Sequence, residues 1–99
     1  MNHRIDEMLE PGSKIGILGG GQLGRMLAVA ATRLGFKSHI FEPAKNSPAS
    51  QVSFQVSTAS YEDEKALIEF AKDVDVITYE FENIPTVSYT HLRAHETEY

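Results

Sequence analysis

The sequence predicts a doubly wound parallel α/β sheet. Short β-prone apolar runs alternate with amphipathic helical patterns along the chain, and a glycine-rich loop joins the first strand pattern to the first helix pattern. Alternation at this spacing calls for parallel strands joined by crossovers. The length of 99 residues adds a third constraint, since it accommodates one domain with one modest core.

Each element can be justified in order. Residues 14–18, Lys-Ile-Gly-Ile-Leu, form an apolar run bounded by glycine and read as a buried parallel strand. Residues 22–34 follow with Leu23, Met26, Leu27, Ala30 and Leu34 at helical spacing, so these side chains are expected to face the core. Gly35 is the natural stop for that helix. Residues 37–41 are β-prone again, and Pro43 and Pro48 then impose a loop. Residues 52–56 alternate Val52, Phe54 and Val56 with polar residues, the pattern of a short edge strand. Ser60 is expected to cap a second helix running to about Lys72, with Leu67, Ile68 and Ala71 inward and acidic residues in its first turn. Residues 74–79 are the last strand. The polar opening segment, residues 1–13, shows no clear chemistry.

Composition excludes several functions. A net charge of −5 argues against a nucleic-acid partner, which requires clustered Lys and Arg. No apolar run approaches the roughly 20 residues that span a bilayer, and the start of the chain lacks the apolar centre of a signal peptide. With no cysteine there is no disulfide framework, thiolate metal site or Cys nucleophile, in keeping with a cytoplasmic location.

The chemistry is concentrated in two places. Gly19-Gly20-Gly21-Gln22-Leu23-Gly24 contains G-x-G-x-x-G between a strand and a helix. Gly19 permits the tight turn, Gly21 lets a ligand approach the backbone, and Gly24 lets helix and strand pack closely. The helix start then offers N–H groups to an anion, although a tight turn without a ligand would use the same glycines. Glu42, 18 residues beyond Gly24 at the end of the second strand, matches the carboxylate that holds ribose hydroxyls in dinucleotide-binding domains. Alternatively it simply ends a strand in solvent. The second place is Tyr79-Glu80-Phe81-Glu82-Asn83, directly after the last strand, where open α/β sheets put their ligands. Two-residue periodicity places Glu80 and Glu82 on one face, either toward a hydroxyl- or amine-bearing ligand or as exposed charges. Read alone, the glycines and Glu42 suggest an NAD(P)-binding domain of an oxidoreductase. A binding module without chemistry is a third reading.

Three ordered motifs resemble a known family. They are the string from Ile15 to Leu27 (IGILGGGQLGRML), the Glu42-Pro43 and Pro48-Ala49 pairs, and Tyr79-Glu-Phe-Glu-Asn83. Together they resemble the 5-(carboxyamino)imidazole ribonucleotide synthases of purine biosynthesis, over residues 11–85. The resemblance implies an ATP-grasp ligase that carboxylates the amine of 5-aminoimidazole ribonucleotide using ATP and bicarbonate, through a carboxyphosphate-type intermediate. This chain would be its truncated, Rossmann-like N-terminal (pre-ATP-grasp) domain. Gly21, Gln22 and Leu23 would face the ribonucleotide, and Glu80 or Glu82 would lie near its amine or ribose. ATP and Mg2+ would be held by domains that this sequence does not contain. No catalytic residue, metal ligand or cofactor is therefore expected here, and the fragment alone is expected to be inactive. The parent is expected to be a cytoplasmic homodimer.

The family pattern is expected to stop after residue 86. Val87–Thr97 resembles the conceptual translation of a transposase adapter used in short-read library preparation, so residues 87–99 are expected to be a non-native tail. That reading removes the tempting pair His91 and His95, which in any case lacks further metal ligands. His3 and His39 are isolated in sequence and are assigned no role.

Overall fold

A computed structural model of the chain describes residues 10–79. Strand β1 (Lys14–Leu18), helix α1 (Gln22–Arg33), β2 (Lys37–Phe41), β3 (Gln55–Ser57), helix α2 (Glu64–Asp73) and β4 (Val76–Tyr79) follow one another, with one 3-10 turn at Ala49–Gln51. All strand pairs are parallel and the order is β3-β2-β1-β4. The α/β class and the four strands are as expected. The chain builds outward from β1 through β2 to β3, then crosses back to place β4 on the other side of β1.

Alternation along the strands divides the core in two. Ile17 and Ile40 point to one face and pack with Ala28 of α1 and Ala49. Leu18 and Phe41 point to the other and pack with Leu67, Phe70 and Ala71 of α2 and with Ile77. Phe70 stands edge-on to Phe41, with ring centroids 5.3 Å apart. Gly16 makes this second layer thin, because a Cβ there would lie 2.8 Å from Phe70 Cζ and 2.9 Å from Val74 Cγ2.

Helix α1 departs from the expected orientation. Its buried residues are Gly24, Ala28 and Ala31, whereas Leu23, Met26 and Leu34 are 48%, 65% and 71% exposed. Small side chains let the helix lie close to the strands, and that turns the larger apolar residues outward. The helix stops as expected. Gly35 adopts φ +89°, its N–H donates to Thr32 O at 3.0 Å, and the Phe36 N–H donates to Ala31 O at 2.9 Å. These are the paired bonds of a Schellman motif.

The start of α2 also differs. Asp63 is the N-cap, accepting from the Ala66 N–H at 3.1 Å, while the Ser60 hydroxyl accepts from the Glu62 N–H in the preceding turn. A carboxylate in the correct extended backbone position caps the helix better than a hydroxyl three residues earlier, and only Glu64 then lies in the first turn. The inward residues include Phe70 in addition to Leu67 and Ala71, and Ile68 is only partly buried. The edge strand β3 begins three residues later than the alternating pattern suggested, and β4 begins at Val76.

Candidate functional site

Strand β1 delivers the glycine loop to the carboxyl edge of the sheet. Gly19 takes φ +116°, and its N–H donates to Phe41 O at the end of β2 at 2.9 Å. Gly20 is buried; its N–H donates to Glu42 Oε1 at 2.7 Å and its carbonyl accepts from the Ala49 N–H at 2.9 Å. A Cβ on Gly20 would sit 2.6 Å from Ser47 Oγ and 2.9 Å from Glu42 Cγ. Gly21 is the N-cap of α1, and Gly24 is buried on the helix's inner face, as the packing role assigned to it requires.

The amino end of α1 follows the loop directly. Gly21 supplies no side-chain cap and the first turn contains no acidic residue. The helix dipole therefore leaves partial positive charge beside Gln22 and Leu23, which are both exposed. This end of the helix favours an anionic or oxygen-rich ligand.

The end of β4 lies beside it. Tyr79 pairs with Leu18 across β4 and β1, so the chain leaves β4 next to the glycine loop. Because β2 and β4 lie on opposite sides of β1, the carboxyl edge of the sheet beside the glycine loop is its topological switch point. Gly21, Gln22 and Leu23, at the start of α1, lie at this edge. Glu80 and Glu82 lie outside the described residues, as does everything beyond them, including His91 and His95.

Glu42 behaves differently from either sequence reading. It is half-buried, and its second oxygen, Oε2, accepts from the Ala44 N–H at 2.9 Å. Both carboxylate oxygens thus hold backbone N–H groups, a structural role that neither reading gave to Glu42. The Ser47 hydroxyl, buried against Gly20, has no hydrogen-bond partner among the described residues.

His39, unassigned from sequence, is 2% exposed and belongs to a polar network. Its Nδ1 lies 2.8 Å from Asp73 Oδ2 and its Nε2 2.7 Å from Ser57 Oγ, while Lys14 Nζ reaches Asp73 Oδ1 at 2.8 Å. The network joins β1, β2, β3 and the end of α2. Lys14 opens β1 and Asp73 ends α2, so this charge pair marks the amino edge of the sheet, away from the glycine loop. No sequence motif announces it, because its members are far apart in the chain. Among the described residues no group of three or more His, Asp or Glu converges as a metal site. No described helix is long and apolar enough to cross a membrane.

The fold defines a class: a parallel α/β domain with a glycine loop at the carboxyl edge of the sheet, at its topological switch point. Within that class the chain matches the ribonucleotide synthetase preATP-grasp domain over residues 12–98, and it belongs to that family. It is similar to the N5-carboxyaminoimidazole ribonucleotide synthase of Brucella melitensis, with 60% identity over 77 residues, 78% of this chain and 21% of that protein. The N5-carboxyaminoimidazole synthetase of Staphylococcus aureus complexed with ADP superposes with a TM-score of 0.83 at 42% identity, covering 89% of this chain and 24% of that one. The enzyme from Aspergillus clavatus in complex with ADP and 5-aminoimidazole ribonucleotide superposes with a TM-score of 0.74 at 38% identity, over 87% and 23% of the two chains. The chain thus spans about a fifth of the length of the curated relatives it matches.

Proposed function

We propose that this chain forms one wall of the ribonucleotide site of a ligase that carboxylates 5-aminoimidazole ribonucleotide with ATP and bicarbonate in purine biosynthesis. The observation that carries the reading is the start of α1, where the N-cap Gly21 contributes no side chain and the first turn holds no acidic residue, set at the switch point beside the end of β4. The N–H groups of Gln22 and Leu23 and the Gln22 side-chain amide suit the oxygens of a ribonucleotide, and Gly21 lets the ligand come close to the backbone. Glu80 or Glu82 would complete the site next to the amine or ribose. The Aspergillus complex with 5-aminoimidazole ribonucleotide supports this choice of ligand.

ATP and Mg2+ belong to the remainder of the parent enzyme, a cytoplasmic homodimer in this reading. The described residues contain no converging ligand set for the metal, so no step of the phosphoryl or carboxyl transfer is assigned to them. This chain binds and orients; it does not turn over. Isothermal titration of the chain with 5-aminoimidazole ribonucleotide and with NADH tests the reading. Saturable heat with the ribonucleotide and none with NADH is expected, and tight NADH binding would overturn it. ADP release that depends on the ribonucleotide, measured with the purified chain, would show that the transfer machinery had been misplaced.

A further inference from the structure

The glycine loop is held from outside by one side chain. Glu42 Oε1 takes the Gly20 N–H at 2.7 Å and Oε2 takes the Ala44 N–H at 2.9 Å. The first distance is that of a short, charge-assisted bond. Two further bonds, from the Gly19 N–H to Phe41 O and from the Ala49 N–H to Gly20 O, fix the same peptide units against the end of β2 and the loop that follows it.

We propose that Glu42 is a positioning residue for the ligand site: through Gly20 it sets the direction in which the first-turn N–H groups of α1 face at the switch point. The inference rests on the ribonucleotide reading above and concerns how that site is shaped. Three features make the side chain specific. The two N–H groups belong to different loops, so a group with two acceptor oxygens is required. A carboxamide would offer one acceptor and turn a donor toward the other N–H. The stem of Glu42 lies flat against Gly20, with Cγ 2.9 Å and Cβ 3.0 Å from the point a Gly20 Cβ would occupy, so glutamate and glycine form a matched pair. The bonded Gly20 amide also lies one residue before the N-cap of α1, so a rotation of that peptide is passed directly into the helix start.

The test uses the whole chain and two variants, Glu42→Ala and Glu42→Gln, with amide exchange and amide chemical shifts measured alongside ribonucleotide affinity and thermal unfolding. In Glu42→Ala the Gly20 and Ala44 amides should exchange about tenfold faster or more, the Gln22 and Leu23 amides should shift, and ribonucleotide affinity should fall about tenfold while unfolding stays cooperative. Glu42→Gln, which keeps one acceptor, should fall between, and it carries the test if Glu42→Ala fails to fold. Unchanged Gln22 and Leu23 amides in a folded variant would overturn the proposal, as would faster exchange at Gly20 with unaltered affinity. If the unmodified chain does not bind the ribonucleotide, the functional reading fails; the shifts at Gln22 and Leu23 then still decide whether Glu42 sets the loop.

Discussion

His39 Nδ1 lies 2.8 Å from Asp73 Oδ2 inside the protein, on a ring that is 2% exposed. An ionised carboxylate only accepts, so Nδ1 carries the proton, Nε2 of the neutral ring accepts, and the Ser57 hydroxyl donates to it at 2.7 Å. Burial lowers the imidazole pKa from its ordinary 6.5 by more than the Asp73 hydrogen bond and charge raise it, and Lys14 pushes in the same direction as burial.

Stability should therefore depend on pH through His39. The unfolded chain takes up a proton near pH 6.5 and the folded chain only at lower pH, so the contribution is fully present above about 6.5 and is lost as pH falls through the folded value. Burial tends to raise the Asp73 pKa, but hydrogen bonds from Lys14 and His39 outweigh it and the net shift is downward from 3.8. Its contribution is present above about 3.8 and disappears in a second step below that. Urea midpoints from pH 8 to pH 3 should show both losses. A midpoint independent of pH between 7.5 and 5 would contradict the role given to His39, and His39→Gln should flatten that range.

Packing at Gly16 makes a sharp prediction. A methyl group there would meet Phe70 and Val74 at under 3 Å, so Gly16→Ala should destabilise the domain by about 1–3 kcal/mol through overpacking. Phe70→Ala, which empties the same layer, should lose about 3–5 kcal/mol. Denaturant titration of both variants checks this; a neutral Gly16→Ala would mean that α2 can move away from the sheet freely.

The two faces of α1 should respond in opposite ways. Met26→Glu and Leu34→Lys, on the exposed face, should change stability by no more than about 0.5 kcal/mol. Ala28→Leu, on the buried face, should cost about 1–3 kcal/mol. Thermal melts that rank these variants the other way round would reverse the assignment of the faces.

At the proposed ligand site, Gln22→Ala removes an exposed amide without disturbing the core. Ribonucleotide affinity should drop about five- to tenfold, equivalent to one hydrogen bond, with the melting temperature unchanged. Removing residues 87–99 should leave that affinity as it was. Titration calorimetry on both variants distinguishes these outcomes; a large loss on truncation would assign the tail a part in binding.

Much of this protein was legible in the residues themselves. Strand β1, the glycine loop and the stop at Gly35 follow from local rules, because a buried strand, a tight turn and a left-handed C-cap each require particular residue types at particular offsets. The ordered motifs from Ile15 to Asn83 were sufficient to point to the family that the chain matches. Periodicity located α1 correctly but oriented it only in part: Leu27 packs against the core while Leu23, Met26 and Leu34 are exposed, because a hydrophobic stripe records where apolar side chains lie on a helix, not which stripe can approach a sheet closely.

The tertiary structure alone decided the rest, and the reason is distance along the chain. That Glu42 holds backbone N–H groups depends on Gly20, which is 22 residues away, and on the loop at Ala44. Whether His39 is idle or central depends on Asp73 and Ser57, 34 and 18 residues away. The small face of α1 is buried because the sheet admits only Gly24, Ala28 and Ala31 at that depth. Local sequence determines which elements form and in what order; burial and polar partnership are collective properties that exist only once those elements have packed.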